Sequence, residues 1–166
     1  MPEKFRRHFL KAREAEALLN KASEKIVTLG QIAKAKANVE LIQTEFAEIY
    51  FINNKPSLFK IGEDIFPTLV FNEFFATAAK VVVNMGAVPH VCNGANVMAP
   101  GIIRFEGEFK EGDFILVVDE KHGKPLAVGE MTYNMYEAKK IKQGVVVKNI
   151  HFVGDRIWNF IKSFQG

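Results

Sequence analysis

The sequence predicts an α+β protein in which N-terminal helices and a small antiparallel sheet pack on a C-terminal mixed β-barrel. Up to about residue 29, apolar residues recur every three or four positions, which is typical of helices. From Val39 onward they alternate with polar residues or form short β-branched runs, which is typical of strands. A neutral stretch rich in glycine and proline, Gly86 to Gly101, interrupts the strands of the second half.

Composition places the chain among ordinary globular proteins. Of its 166 residues, 48% are hydrophobic and 25% are charged, which is enough for one large domain or two small ones. The single cysteine, Cys92, excludes an intrachain disulfide. No apolar run reaches the ~20 residues that span a bilayer, and the basic start lacks the apolar segment of a signal peptide. We therefore expect a cytoplasmic protein with no membrane partner.

The charge is small in total but unevenly distributed. The net charge of +3 is not that of a strongly basic nucleic-acid binder. Residues 1–39 carry nine Lys or Arg against four Glu, whereas residues 40–78 carry two against six acidic residues. A solvated helix face explains the basic run most simply, and contact with phosphates is the alternative.

The first half begins with two predicted helices. Apolar spacing predicts the first over residues 4–21. Ser23 as an N-cap and Gly30 as a stop predict the second. Residues 31–38 favour no element. The later elements are a strand from Val39, a strand over residues 49–52, a hairpin turn at Asn53-Asn54, a return strand over residues 57–61 and a short helix or extended segment from Pro67.

The second half is predicted to hold the strands of the barrel. Gly94 is expected at positive φ, ending a short helix. Pro100-Gly101 is expected to form a type II turn with positive φ at Gly101. The domains are placed at residues 1–78 and 79–166. The predicted strands cover residues 81–83, 97–105, 114–118, 126–131, 145–152 and 156–161, and the predicted helices cover residues 87–93 and 135–143.

Five ordered segments of the second half resemble the PUA domain, an RNA-binding module named after pseudouridine synthases and archaeosine transglycosylases. They are the valine-rich strand at Val81 to Val83, NMGAVPHVCNGANVMAPGI, FKEGDFILVVDE, LAVGEM and GVVVKNIHFVGDRIW. The resemblance extends from about Lys80 to Trp158. The preceding part, VELIQTEFAEIYFINNKPSLFKIGEDIFPTL, is similar to the pre-PUA domain of the MCT family of translation proteins (multiple copies in T-cell lymphoma).

This resemblance implies a PUA-like barrel in which a short helix and the following strand form an RNA-facing groove. It implies an RNA partner, either the acceptor (CCA) end of a tRNA or rRNA of the small ribosomal subunit, in initiation or ribosome recycling. It also implies a separate SUI1-domain protein as a partner. The RNA-binding residues it points to are His90, Asn93, Gly94, Ala95, Asn96, Met98, Ala99 and Gly101, with Arg104 and Arg156 as candidate phosphate contacts.

No catalytic or metal-binding motif is visible, so we expect a non-catalytic protein without a cofactor. His90, Cys92, His151 and Asp155 show no ligand spacing such as CxxC or HExxH. Three other functions stay open at this point. One is an accessory specificity module for a tRNA or rRNA modification enzyme, and another is a protein-protein adaptor that does not bind RNA. The third is an enzyme with a noncanonical site.

Overall fold

The computed structural model describes residues 4–165, and the chain divides after Thr77 into two units. Both units combine helices with a sheet, which confirms the predicted α+β class. The first unit contains β1 (Arg6–Phe9), α1 (Ala12–Ala22), α2 (Thr28–Lys34), β2 (Val39–Gln43), β3 (Glu48–Ile52), β4 (Lys55–Ile61), β5 (Asp64–Pro67) and α3 (Asn72–Thr77). The second contains β6 (Lys80–Val83), α4 (Val88–Val91), β7 (Val97–Met98), a 3₁₀ turn (Ala99–Gly101), β8 (Ile102–Glu106), β9 (Phe114–Asp119), β10 (Pro125–Met131), α5 (Met135–Ala138), β11 (Val145–Phe152) and α6 (Arg156–Gln165).

The first unit is built on a five-stranded antiparallel sheet in the order β1-β2-β3-β4-β5. Strands that follow one another in the chain are neighbours in the sheet, so short turns connect most of them. Asn53 and Asn54 form the turn between β3 and β4 with φ values of 49° and 68°. Asparagine tolerates this left-handed region well, and the predicted hairpin is confirmed.

The N-terminal segment is a strand where the sequence predicts a helix. Arg6–Phe9 pairs with β2, from Arg6 opposite Gln43 to Phe9 opposite Glu40. The Arg7 guanidinium donates two hydrogen bonds to the buried Glu40 carboxylate, at 2.8 and 3.0 Å. These partners lie more than thirty positions along the chain, so local periodicity cannot indicate them. The helix prediction is therefore wrong before α1, and the basic run does not form one helix face.

The second predicted helix is displaced along the chain. Ser23 lies at the C-terminal end of α1, where its Oγ donates to the Asn20 carbonyl at 2.6 Å. Gly30, predicted to end the next helix, lies inside α2. The backbone reverses at Lys36, whose φ is 56°. Pro67 ends β5 and does not begin a new segment.

The second unit is a curled six-stranded mixed sheet in the order β7-β11-β10-β9-β6-β8. β6 and β9 are parallel, and the other neighbouring strands are antiparallel. The sheet forms a half-barrel, which confirms the predicted PUA-like fold. Its core consists mainly of alanine and β-branched residues, including Val81, Val83, Ile115, Val117 and Val147.

The packing of β10 on β11 requires a glycine. A Cβ on Gly129 would overlap the Val147 Cγ1 and would lie 3.1 Å from the Lys148 carbonyl oxygen. The pairing register shifts immediately before Gly129, leaving Ile150 as the extra residue of a bulge and bringing Asn149 opposite Gly129. A bulge redirects the side chains of its strand, and Asn149 lies beside it.

The last element is a helix where the sequence predicts a strand over residues 156–161. The Asp155 carboxylate accepts a hydrogen bond from the Trp158 N–H at 2.8 Å, which is the geometry of an N-cap. The strand prediction is therefore wrong. Apolar residues of α6 recur at three- and four-residue intervals and are buried: Ile157, Phe160 and Ile161.

Two short helices complete the second unit. α4 lies within the predicted helix over residues 87–93 and has Pro89 in its first turn, where proline is tolerated. α5 ends at Ala138, so the helix predicted over residues 135–143 is too long. None of the helices described in residues 4–165 is long and apolar enough to cross a bilayer.

Candidate nucleic-acid interface

A groove of about 410 Å³ opens among α4, β7 and the 3₁₀ turn. Every residue that lines it comes from the short segment between residues 84 and 101, and none of them is Lys, Arg, Asp or Glu. The wall therefore offers apolar, amide and imidazole groups. The lining residues are Asn84, Ala87, His90, Val91, Ala95, Asn96, Val97, Met98, Pro100 and Gly101.

Asn84 holds the two ends of this segment together. Its backbone N–H donates to the Gly101 carbonyl at 2.9 Å. Its side-chain Oδ1 accepts a hydrogen bond from the Ala87 N–H, also at 2.9 Å, just before α4 begins. The next N–H, that of Met85, donates to the Glu120 carboxylate at 2.9 Å. The entry to α4 is thus tied both to the 3₁₀ turn and to the end of β9.

Gly94 turns the chain after α4. Its φ is +92°, and an added Cβ would lie 3.1 Å from the Phe152 ring. The predicted positive φ is confirmed. The Gly94 N–H donates to the Val91 carbonyl and the Ala95 N–H to the His90 carbonyl, both at 3.0 Å. These two N–H groups already have partners within the chain, so backbone geometry and the Phe152 ring explain the glycine without any ligand.

Gly101 does not have the backbone conformation that the sequence predicts. It lies in a single turn of 3₁₀ helix and is not among the positive-φ glycines of the described residues, so the predicted type II turn is wrong. An added Cβ would lie 3.2 Å from the Ala87 Cβ. The close approach that this glycine permits is therefore to the residue that precedes α4.

Asn149 of β11, which lies outside the glycine-rich stretch, fixes the loop between α4 and β7. Its Nδ2 donates to the Val91 and Ala95 carbonyls at 3.1 and 3.0 Å. Its backbone N–H donates to the Asn96 Oδ1 at 2.9 Å. Sequence reasoning missed this residue, and the available signal was an amide side chain in a strand that begins with three valines.

The structure brings together part of the predicted RNA-binding set. His90 and Asn96 are exposed at the groove, and the Met98 side chain is 47% exposed. Asn93 and Gly94 lie in the adjoining loop, and Ala99 lines a different groove. The predicted residues that line the groove are His90, Ala95, Asn96, Met98 and Gly101.

Neither predicted arginine lines this groove. Arg104 lies on β8, where its Nε is 3.2 Å from the Glu106 carboxylate, and it lines the other groove together with Lys139. Arg156 is the first residue of α6 and is exposed. It follows Phe152, whose ring lies beside Gly94, by four positions.

Of the four titratable residues that the sequence offered for a metal or Cys-His site, His151 and Asp155 are paired with each other. His151 is fully buried, with its Nδ1 2.7 Å from the Asp155 carboxylate that also caps α6. Burial raises the pKa of the Cys92 thiol, and the Lys124 ammonium lowers it by less. Across residues 4–165, no group of three His, Cys, Asp or Glu side chains is placed to hold a metal ion.

The half-barrel and its glycine-rich groove define a PUA-domain protein. The family model of the PUA domain matches residues 79–153. A second model, described as a domain of unknown function (DUF1947), matches residues 6–71. Together the two models account for segments of both units.

The chain is similar to archaeal and eukaryotic proteins along most of its length. It is 36% identical over 156 residues to an uncharacterized protein of Methanocaldococcus jannaschii, covering 93% of this chain and 96% of the other. It is 28% identical over 140 residues to translation machinery-associated protein 20 of Saccharomyces cerevisiae, with coverages of 80% and 77%. Against malignant T-cell-amplified sequence 1 of Danio rerio it is 28% identical over 143 residues, with coverages of 82% and 78%.

A crystal structure of a hypothetical protein from Pyrococcus horikoshii has the same fold. The TM-score is 0.75 at 32% identity, with coverages of 93% of this chain and 98% of the other. The chain therefore belongs to the family of archaeal PUA proteins that is homologous to translation machinery-associated protein 20 and malignant T-cell-amplified sequence 1. The resemblance seen in the sequence is confirmed.

Proposed function

We propose that the protein is a non-catalytic RNA-binding protein of translation that holds a single-stranded RNA end in the groove between residues 84 and 101. The CCA acceptor end of a tRNA is the preferred ligand, and an unpaired segment of small-subunit rRNA is the alternative. The observation that carries this proposal is the uncharged wall of the groove. Such a wall suits an unstacked base, because a base has an apolar face and polar edges, whereas phosphate requires cations.

Three side chains supply the contacts in this proposal. The flexible Met98 side chain packs against the face of a base. The His90 ring and the Asn96 amide lie at the groove and hydrogen-bond to a base edge. Because the Asn96 Oδ1 already accepts the Asn149 N–H, Asn96 acts toward RNA through its Nδ2 as a donor. A donor at this position can bond to the ring-nitrogen and carbonyl acceptors that adenine and cytosine, like the other bases, carry on their edges.

The phosphates are contacted outside the groove in this account. Arg156 is the proposed contact, since it is exposed and begins α6 near the Phe152 ring that supports Gly94. Arg104 is left out of the RNA site because it lines the other groove. The small ribosomal subunit and a SUI1-domain protein are the proposed partners in the cytoplasm, as the resemblance implies. The name of the yeast relative supports the link to translation.

Binding to tRNA with and without its CCA end tests the proposed function. We expect the intact tRNA to bind about tenfold more tightly, equivalent to about 1.4 kcal/mol. The preference should persist between about 50 and about 200 mM salt, since the lining of the groove is uncharged and the two RNAs differ only by the phosphates of the CCA end. Fluorescence anisotropy with labelled tRNA measures both affinities. Equal affinity for the two RNAs at both salt concentrations would contradict recognition of the acceptor end.

Met98→Ala tests whether the groove is the site. This substitution should weaken binding of the intact tRNA about tenfold, because full burial of a methionine side chain contributes about 1.5–3 kcal/mol and alanine would lose most of that contact. It should leave the salt dependence unchanged, since no phosphate contact is removed. Met85→Ala is the matched control, because Met85 is 43% exposed and does not line the groove. If both variants bind intact tRNA as tightly as the parent chain, the assignment of the site is wrong, even if the proposed function is right.

A further inference from the structure

A second groove, of about 370 Å³, lies between β8 and the α5 region. Its floor is apolar, formed by aliphatic and aromatic side chains that include Ile102, Phe105 and Ile141. Ile103 is also part of the lining and is 49% exposed. An apolar surface of this kind, open on a folded unit, is a candidate contact surface for another molecule.

The rim of this groove is basic. Arg104 and Lys139 line it, and Lys140 and Lys142 follow Lys139 in the chain as exposed residues. No Asp or Glu is among its lining residues, although Glu106, which is paired with Arg104, and the exposed Glu108 and Glu137 are close to lining residues in the chain. The cations outnumber the acids, so the rim is complementary to a negatively charged ligand.

β8 adds a hydrogen-bonding edge. It is the last strand of its sheet and pairs only with β6 among the described residues. An edge strand can accept a further strand from another chain through its main-chain groups. The groove therefore combines an apolar floor, a basic rim and an open strand edge.

This combination favours a peptide over RNA. The uncharged lining side chains carry no amide or hydroxyl group that could recognise a base edge. The one aromatic ring in the lining, that of Phe105, packs on Phe109 with ring centroids 5.3 Å apart. An extended peptide requires main-chain pairing and a pocket for a side chain, and this groove offers both.

We propose that this groove docks an acidic segment of a partner protein. The segment lies along β8 in an extended conformation, places one large apolar side chain on the floor formed by Ile102, Phe105 and Ile141, and directs its carboxylates to Arg104 and Lys139. The site is separate from the RNA groove, although residues of the 3₁₀ turn contribute to both: Ala99 to this one, and Pro100 and Gly101 to the other.

Selection from a phage library of random short peptides against the full chain tests the proposal. We expect the enriched peptides to carry several Asp or Glu around one large apolar residue. Their affinity should fall at least about tenfold for Lys139→Glu, which reverses a rim charge, and for Ile103→Asp, which places a charge in the apolar lining. Lys121→Glu is the matched control, because Lys121 is exposed beyond β9 and does not line the groove.

Each possible outcome either supports or overturns the docking proposal. Lys139 is exposed, so the test stands on Lys139→Glu even if Ile103→Asp fails to fold. The proposal is overturned if no peptide is enriched, if the enriched peptides lack acidic residues, or if Lys139→Glu binds them as tightly as the parent chain. It is also overturned if Lys139→Glu weakens tRNA binding about tenfold while Lys121→Glu does not, because the groove would then be an RNA surface.

Discussion

Replacing Gly129 with alanine is expected to lower the free energy of unfolding by about 1–3 kcal/mol, the usual cost of overpacking a buried site. The added methyl group would overlap the Val147 side chain and lie 3.1 Å from the Lys148 carbonyl oxygen. The backbone of β11 cannot move away freely, because it is paired with β10 on one side and β7 on the other. Urea unfolding followed by circular dichroism and by the fluorescence of Trp158, the single tryptophan, measures the change.

Gly30→Ala is the matched control for this prediction. Gly30 lies inside α2, and the nearest atom that an added Cβ would meet is the Ser23 Cβ at 3.9 Å. The same methyl group should here raise the free energy of unfolding by about 0.5–1 kcal/mol, since alanine favours a helix over glycine. If both substitutions change stability in the same direction, the packing account of the β10–β11 contact is wrong.

Asn149→Asp is expected to disrupt the RNA groove more than Asn149→Ala does. Alanine removes the two hydrogen bonds to the Val91 and Ala95 carbonyls, which contribute about 1 kcal/mol each. Aspartate has nearly the same shape but would hold a carboxylate against two carbonyl oxygens, an unfavourable arrangement for a desolvated charge. Both variants should weaken binding of intact tRNA, the aspartate variant by more than about tenfold.

Asn20→Asp provides the control for the added charge. Asn20 is an exposed residue of α1 in the first unit and lies outside the proposed RNA site. We expect its aspartate variant to bind tRNA within about twofold of the parent chain. Anisotropy titrations measure the tRNA affinity, and thermal melts the stability, of the parent chain and the three variants. An Asn149→Asp protein that is stable and binds tRNA normally would show that the β11 asparagine does not position the groove.

Local signals predicted the elements that depend on local geometry. The Asn53-Asn54 turn was predictable because asparagine tolerates positive φ. The positive φ of Gly94 was predictable because the chain has to turn after a short helix. The apolar runs also located the strands of the half-barrel. α6 was wrongly predicted as a strand, although local signals for a helix were present: Asp155 is a good N-cap, and Ile157, Phe160 and Ile161 follow a helical spacing.

The features that depend on distant contacts were not predictable from local pattern. β1 exists because its four residues pair with β2. The role of Asn149 depends on a bulge next to Gly129, which brings it within reach of a loop more than fifty positions away. Gly101 was expected at positive φ from its Pro-Gly pair, yet close packing on Ala87 explains it. The resemblance to PUA domains indicated the groove, and the structure separated Arg104 from it.

An NMR titration of the labelled chain with a short RNA that ends in CCA tests whether the groove between residues 84 and 101 binds the RNA end. Backbone amide shifts report binding along the chain, with no mutation that could unfold the loop. We expect the largest shifts at the amides of Ala95, Asn96, Met98 and Gly101, and small shifts at Ile103 and Lys139 beside the second groove. Shifts concentrated in the basic strand β1 or around Lys139, with the amides of the RNA groove unchanged, would contradict this assignment.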